Sequence, residues 1–104
     1  MLYDVRTYVC RPGTIKAHLA LYIEHGYEVQ RKHLGDPFAY MQTETGNVNS
    51  YIHIWAYKDA ADRAQRRAAM QADPKWVAYT KISAEAGYLD SQNNQLMMPV
   101  ALPK

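Results

Sequence analysis

His53 is the side chain to ask about first, because an imidazole with an ordinary pKa of about 6.5 exchanges protons close to neutrality. It stands in the run Ser50 to Tyr57, Ser-Tyr-Ile-His-Ile-Trp-Ala-Tyr. A period of two puts Tyr51, His53, Trp55 and Tyr57 on one face of that run and Ile52, Ile54 and Ala56 on the other. Flanked by Tyr51 and Trp55, His53 could act as acid or base on a small aromatic or carbonyl substrate. The plainer alternative is a core histidine satisfied by a tyrosine or a backbone carbonyl. Arg6 and Tyr8 share a face of the opening segment, where the guanidinium could receive a substrate carboxylate bidentately and the phenol could donate beside it. Alternatively, Arg6 pairs with Asp4, Glu44 or a carboxylate of a second chain. Tyr40 and Trp55 are candidates to line a substrate pocket, or else core or dimer contacts.

Other groups offer less. His18 and His25 could share a helix face with Tyr22, but no third ligand stands at tight spacing. There is also no His-Glu-x-x-His and no paired cysteine motif. The expectation is therefore neither metal nor cofactor. Cys10 ends a strand with no histidine near it in sequence, a poor setting for a nucleophile. Arg63, Arg66 and Arg67 read as a solvated helical face.

The elements that must hold these residues follow from periodicity and punctuation. Leu2 to Cys10 alternates Tyr3, Val5, Thr7 and Val9 with Asp4, Arg6, Tyr8 and Cys10, which predicts a strand stopped by Pro12-Gly13. Ile15, Leu19, Tyr22 and Ile23 recur at helical spacing to about Gly26, with a possible continuation to Leu34. Phe38 to Thr45 predicts a second strand, Gly46-Asn47 a tight turn, and Val48 onward a third strand in an antiparallel hairpin. Asp59 predicts a helix cap, and Ala61, Ala64, Ala68 and Ala72 predict a small-residue stripe toward a neighbouring element, leaving the arginines outward. Asp73-Pro74 opens another helix and Gly87 closes it. Tyr88 to Pro99 reads as a fourth strand, or as a hairpin broken at Asn93-Asn94.

That order is the split β-α-β of an α+β, ferredoxin-like fold: a four-stranded antiparallel sheet with helices on one face. The other face would be apolar and too large to stay exposed, so a second copy is expected sheet against sheet, a homodimer or larger homo-oligomer built as a dimeric α/β barrel. At 104 residues the chain is expected to form one domain, 1–104. A net charge of +2 spread over scattered residues asks for neither nucleic acid nor a membrane surface. No apolar run approaches bilayer length, and the single cysteine suits a reducing compartment, so a cytoplasmic protein without a membrane span is expected. Nine tyrosines against one phenylalanine is the unusual feature, since buried phenols need partners and often accompany interfaces or wet pockets.

Tyr3-Asp4-Val5-Arg6-Thr7-Tyr8 with Pro12-Gly13, His53-Ile54-Trp55-Ala56-Tyr57 with Asp59, the arginines at 63, 66 and 67, and Asp73-Pro74-Lys75-Trp76 resemble the NIPSNAP family over nearly the whole chain. The resemblance implies the dimeric α/β-barrel fold, a group that includes cofactor-free monooxygenases, haem-degrading oxygenases and stress proteins. It leaves function open. The sequence is compatible with a small-molecule-binding protein or cofactor-free, oxygenase-like enzyme with a pocket between sheet and helices. The alternative is a non-catalytic structural or interaction protein acting through homo-oligomerisation. No residue demands haem.

Overall fold

The computed structural model describes residues 1–104. Strand β1 (Leu2–Cys10) leads to helices α1 (Ile15–His25) and α2 (Tyr27–Leu34). Strands β2 (Ala39–Gln42) and β3 (Ser50–Tyr57) follow, then helices α3 (Ala60–Ala72) and α4 (Pro74–Ala86), then strand β4 (Leu89–Met97). The sheet order is β2-β3-β1-β4, with every pairing antiparallel. This is the ferredoxin-like arrangement, and β4 is one strand rather than a hairpin, its pairing with β1 shifting register between Val9 and Cys10 of β1. No helix is long and apolar enough to cross a membrane.

The first helical stretch ends at Gly26 as expected, and helix continues from Tyr27 to Leu34; a Cβ at Gly26 would sit 2.9 Å from the ring of Tyr79 of α4. Other local expectations are corrected. The second strand is shorter than Phe38 to Thr45, and residues 43–49 form a loop instead of a two-residue turn. Asn47 accepts from the Ser50 backbone N–H there, and its side chain accepts from Asn49. Helix α3 is turned the opposite way from the expected one. Ala61, Ala64, Ala68 and Ala72 are exposed, while Met70 is buried and Arg63 reaches inward to Asp4. A fully buried carboxylate needs cations, and arginine can lay its apolar stem along the sheet while its head reaches that group. Elsewhere the punctuation holds: Asp59 and Asp73 accept from the first-turn amides of Asp62 and Lys75, and Gly87 ends α4 at φ 66°.

The two sheet faces are chemically distinct. Register places Tyr40 beside His53, His53 beside Arg6 and Arg6 beside Asn94 in one row across the sheet. Along β3, Tyr51, His53, Trp55 and Tyr57 are all buried beneath the helices. Trp55 and Tyr57 pack with Leu34 of α2 and Met70 of α3. Tyr51 packs with Cys10 and Ile15. The opposite face carries Val5, Ile52, Ile54 and, at its margin, Tyr3 edge-on to Phe38 at 5.1 Å; Val5, Ile52 and Ile54 are half-buried there, and Phe38 is 65% exposed.

Candidate functional site

The helix-covered face bears a half-open cavity of about 310 Å³ beside His53. Its floor is Tyr8 from β1, Tyr40 from β2, and Tyr51 and His53 from β3; its roof is Tyr22, Gln30, Trp76, Tyr79 and Ser83; Leu89 and Gln92 of the edge strand complete it. No Asp, Glu, Lys or Arg lines it. The rings are organised by the strand register. Tyr40 stacks on His53 at 4.9 Å, on Tyr51 at 5.7 Å and on Tyr22 at 5.5 Å, and Tyr8 meets His53 edge-on at 4.6 Å. Edge-to-face and offset contacts of this kind let phenol rings pack densely while leaving hydroxyls free to turn toward polar partners.

Several polar groups at the cavity and behind it are paired within the protein. The Tyr22 hydroxyl donates to the Gln30 side-chain oxygen, and the Tyr51 hydroxyl shares a hydrogen bond of 2.7 Å with His18 Nε2. Trp55 Nε1–H donates to His53 Nδ1 over 2.8 Å. The other ring nitrogen, His53 Nε2, is buried without a partner, as is the Tyr57 hydroxyl. Burial, with a contribution from the Arg6 charge, drives the His53 pKa down to about 3, so the ring is neutral at physiological pH. His18 is shifted down by burial as well. The cavity phenols are pushed above their ordinary range by burial and by one another, Tyr79 to about 12.

Of the residues singled out by sequence, His53, Tyr8 and Tyr40 come together on the cavity wall. Arg6 and Trp55 do not line it. Arg6 donates from Nη1 to Asp4 at 3.0 Å and from Nε to the Tyr8 hydroxyl at 3.2 Å, so its charge reaches the cavity only through that phenol. Asp4, fully buried, also accepts from Arg63 at 3.1 Å and Asn94 at 2.9 Å. Burial alone would raise the Asp4 pKa, but the Asn94 hydrogen bond and the two arginine charges outweigh it and hold the carboxyl below its ordinary value. Trp55, with no exposed surface, stands behind His53 rather than beside a ligand.

Sequence reasoning missed Tyr22, Gln30, Tyr79 and Ser83, which come from three helices whose faces no strand alternation could relate; the excess of tyrosine was their one signal. His18 is committed to Tyr51 rather than to a metal. No cluster of three or more His, Cys, Asp or Glu side chains is placed to hold a metal ion.

Comparison with known proteins places this geometry. The NIPSNAP family profile matches residues 3–103. Protein NipSnap homolog of Dictyostelium discoideum is 29% identical over 101 residues, covering 97% of this chain and 44% of its own length. Protein NipSnap of Drosophila melanogaster is 34% identical over 87 residues, covering 76% of this chain and 29% of its own length. The chain thus spans less than half of either relative. Among solved structures, a NIPSNAP family protein with unknown function from Agrobacterium tumefaciens superimposes with a TM-score of 0.89 at 35% identity, covering 99% of this chain and 91% of that one. An uncharacterised NIPSNAP domain protein from Burkholderia xenovorans does so with 0.90 at 29%, covering 100% and 99%. A putative antibiotic biosynthesis monooxygenase from Nitrosomonas europaea shares the fold at a TM-score of 0.68 and 12% identity, covering 97% and 100%. With its profile matched almost end to end and its fold shared with solved members, the chain belongs to the NIPSNAP family.

Proposed function

We propose that this NIPSNAP chain binds a small organic molecule in the cavity between sheet and helices, with His53, Tyr8 and Tyr40 contacting it. The observation that carries the proposal is the cavity of about 310 Å³ beside a buried histidine whose Nε2 has no partner. Cavities of this size, largely apolar and furnished with a few convergent polar groups, are the usual form of a ligand site. The enzymatic version is cofactor-free, oxygenase-like chemistry on the bound ring; likeness to a monooxygenase at 12% identity supports the fold alone. Arg6 acts behind Tyr8, and Trp55 behind His53. A cytoplasmic location is part of the same proposal, motivated by the single buried thiol of Cys10.

A screen of small aromatic compounds by ligand-observed NMR tests the proposal, with Ser83→Trp as the control that fills the roof. Binders that lose affinity in Ser83→Trp support it. No binders, or binders indifferent to Ser83→Trp, sink it. Oxygen consumption with a bound compound then separates an enzyme from a carrier.

A second reading rests on the open sheet face. Phe38, Ile54, Met97 and Pro99 border a shallow apolar depression there, and a protomer gains by covering such a surface with a second copy. This reading makes the chain an interaction protein that acts through homo-oligomerisation, and it is compatible with an occupied cavity on the other face. Sedimentation showing a dimer that Ile54→Lys dissociates supports it; a monomer at micromolar concentration removes it.

A further inference from the structure

Resting on the cavity reading above, we infer that the site takes its ligand end-on: a flat aromatic body lies inward among the tyrosines, and one uncharged polar group stays at the mouth, where Gln92 of β4 recognises it. The floor shows which way the cavity runs. Across the sheet order β2-β3-β1-β4 the lining passes from Tyr40 to Tyr51, then Tyr8, then Gln92. Tyr51, Tyr8 and Gln92 are direct register neighbours, so Gln92 ends the row on an edge strand. The roof follows the same axis. Tyr22 of α1 stacks on Tyr40 at 5.5 Å, whereas Gly87, where α4 gives way to β4, lines the other end. Burial agrees: Tyr22, Tyr51 and Tyr79 are buried, Tyr8 is half-buried, and Thr80, Gly87 and Gln92 are exposed.

The two ends offer different chemistry. At the inner end the Tyr22 hydroxyl is committed to Gln30 and the Tyr51 hydroxyl to His18. No Asp, Glu, Lys or Arg lines the wall, so a charged ligand group would lose its hydration there with no counter-charge to replace it. What the inner end does offer is ring surface. Tyr40 lies at interplanar angles of 19° to Tyr22 and 16° to Tyr51, an arrangement that favours a further flat ring over a bulky aliphatic body. At the mouth the Thr80 hydroxyl donates to the Val77 carbonyl. Gln92 is then the exposed lining side chain whose amide can both donate and accept. A ligand carbonyl or hydroxyl held there keeps water on its outer side and so avoids the cost of full desolvation.

Two probes of nearly one shape, 2-acetylnaphthalene and 2-isopropenylnaphthalene, differ in the oxygen that Gln92 would recognise. By equilibrium dialysis the ketone is expected to bind about fivefold more tightly than the hydrocarbon, the scale of one net hydrogen bond. Gln92→Leu, at an exposed position of an edge strand, is expected to cut that preference below about twofold, while the hydrocarbon still binds and so reports an intact cavity. Intermolecular NOEs are expected from the acetyl methyl to Gln92 and from the far ring protons to Tyr22 and Tyr51. Equal affinities in the wild type, a ketone preference that survives Gln92→Leu, or acetyl-methyl NOEs to Tyr22 overturn the inference while leaving the cavity reading standing. Binding of neither compound overturns both. The wild-type affinities and NOEs decide the matter even if Gln92→Leu does not fold.

Discussion

The two faces of the sheet reverse the simplest expectation for a small protein. The buried face is the polar-aromatic one, carrying Asp4, Arg6, Tyr8, Tyr40, Tyr51 and His53, whereas the uncovered face carries Val5, Ile52, Ile54 and the exposed Phe38. The inner face borders a pocket of about 310 Å³, and the outer one carries a shallow apolar depression. The proposed ligand site and the proposed association surface therefore lie on opposite sides of one strand, β3, separated by its period of two.

Perturbations of this contrast should scale with burial. Trp55→Ala removes a side chain with no exposed surface and orphans His53 Nδ1; a loss of about 3 to 5 kcal/mol in denaturant unfolding is expected. A loss below about 1 kcal/mol would mean that the inner face is loosely packed there. Acid should act next. The His53 pKa is near 3 in the fold against an ordinary value of 6.5, so the unfolded chain takes the proton first and stability falls as pH drops through 6.5. From about pH 7 to about pH 4.5 this amounts to about 2 to 3 kcal/mol, His18 adding in the same direction. Asp4, held below its ordinary value, contributes stability that is lost only on further acidification, below about pH 4. Replacing His53 with Gln should flatten the upper part of that profile, as followed by urea titration at each pH.

Gly26→Ala sets a methyl group 2.9 Å from the Tyr79 ring; about 1 to 3 kcal/mol of destabilisation is expected, along with weaker ligand binding, because Tyr79 roofs the cavity. Smallest is Ile54→Ser on the open face, where the side chain is half-buried; about 1 kcal/mol is expected for the protomer by thermal unfolding, with weaker association measured by sedimentation.

The order of elements was legible because its signals are local: alternation in β1 and β3, Asp59 and Asp73 as caps, Pro74 at a first helical position and Gly87 beyond a last one. What escaped depends on distant partners. The facing of α3 is decided by a carboxylate on β1. The alanine stripe gave the wrong side because small residues allow close approach without requiring it, whereas buried Asp4 requires a cation. The period of two put Tyr51, His53, Trp55 and Tyr57 on one face of β3, but which face meets the helices, and the register that sets Tyr40 and β1 beside His53, were not legible in the sequence. Nor was the separation of Trp55 and Arg6 from the cavity wall, since each lies on the correct face but is claimed by a neighbour: His53 and the core behind it in one case, Asp4 in the other.

The claim at the centre is that the space beside His53 is a ligand site and not a packing fault. Affinity of 2-acetylnaphthalene for the wild-type protein and for Ser83→Trp, measured by calorimetry with unfolding checked in parallel, tests it most directly. Saturable one-to-one binding that Ser83→Trp abolishes while the fold persists is the predicted result; binding unchanged in Ser83→Trp, or absent from the wild type, contradicts it.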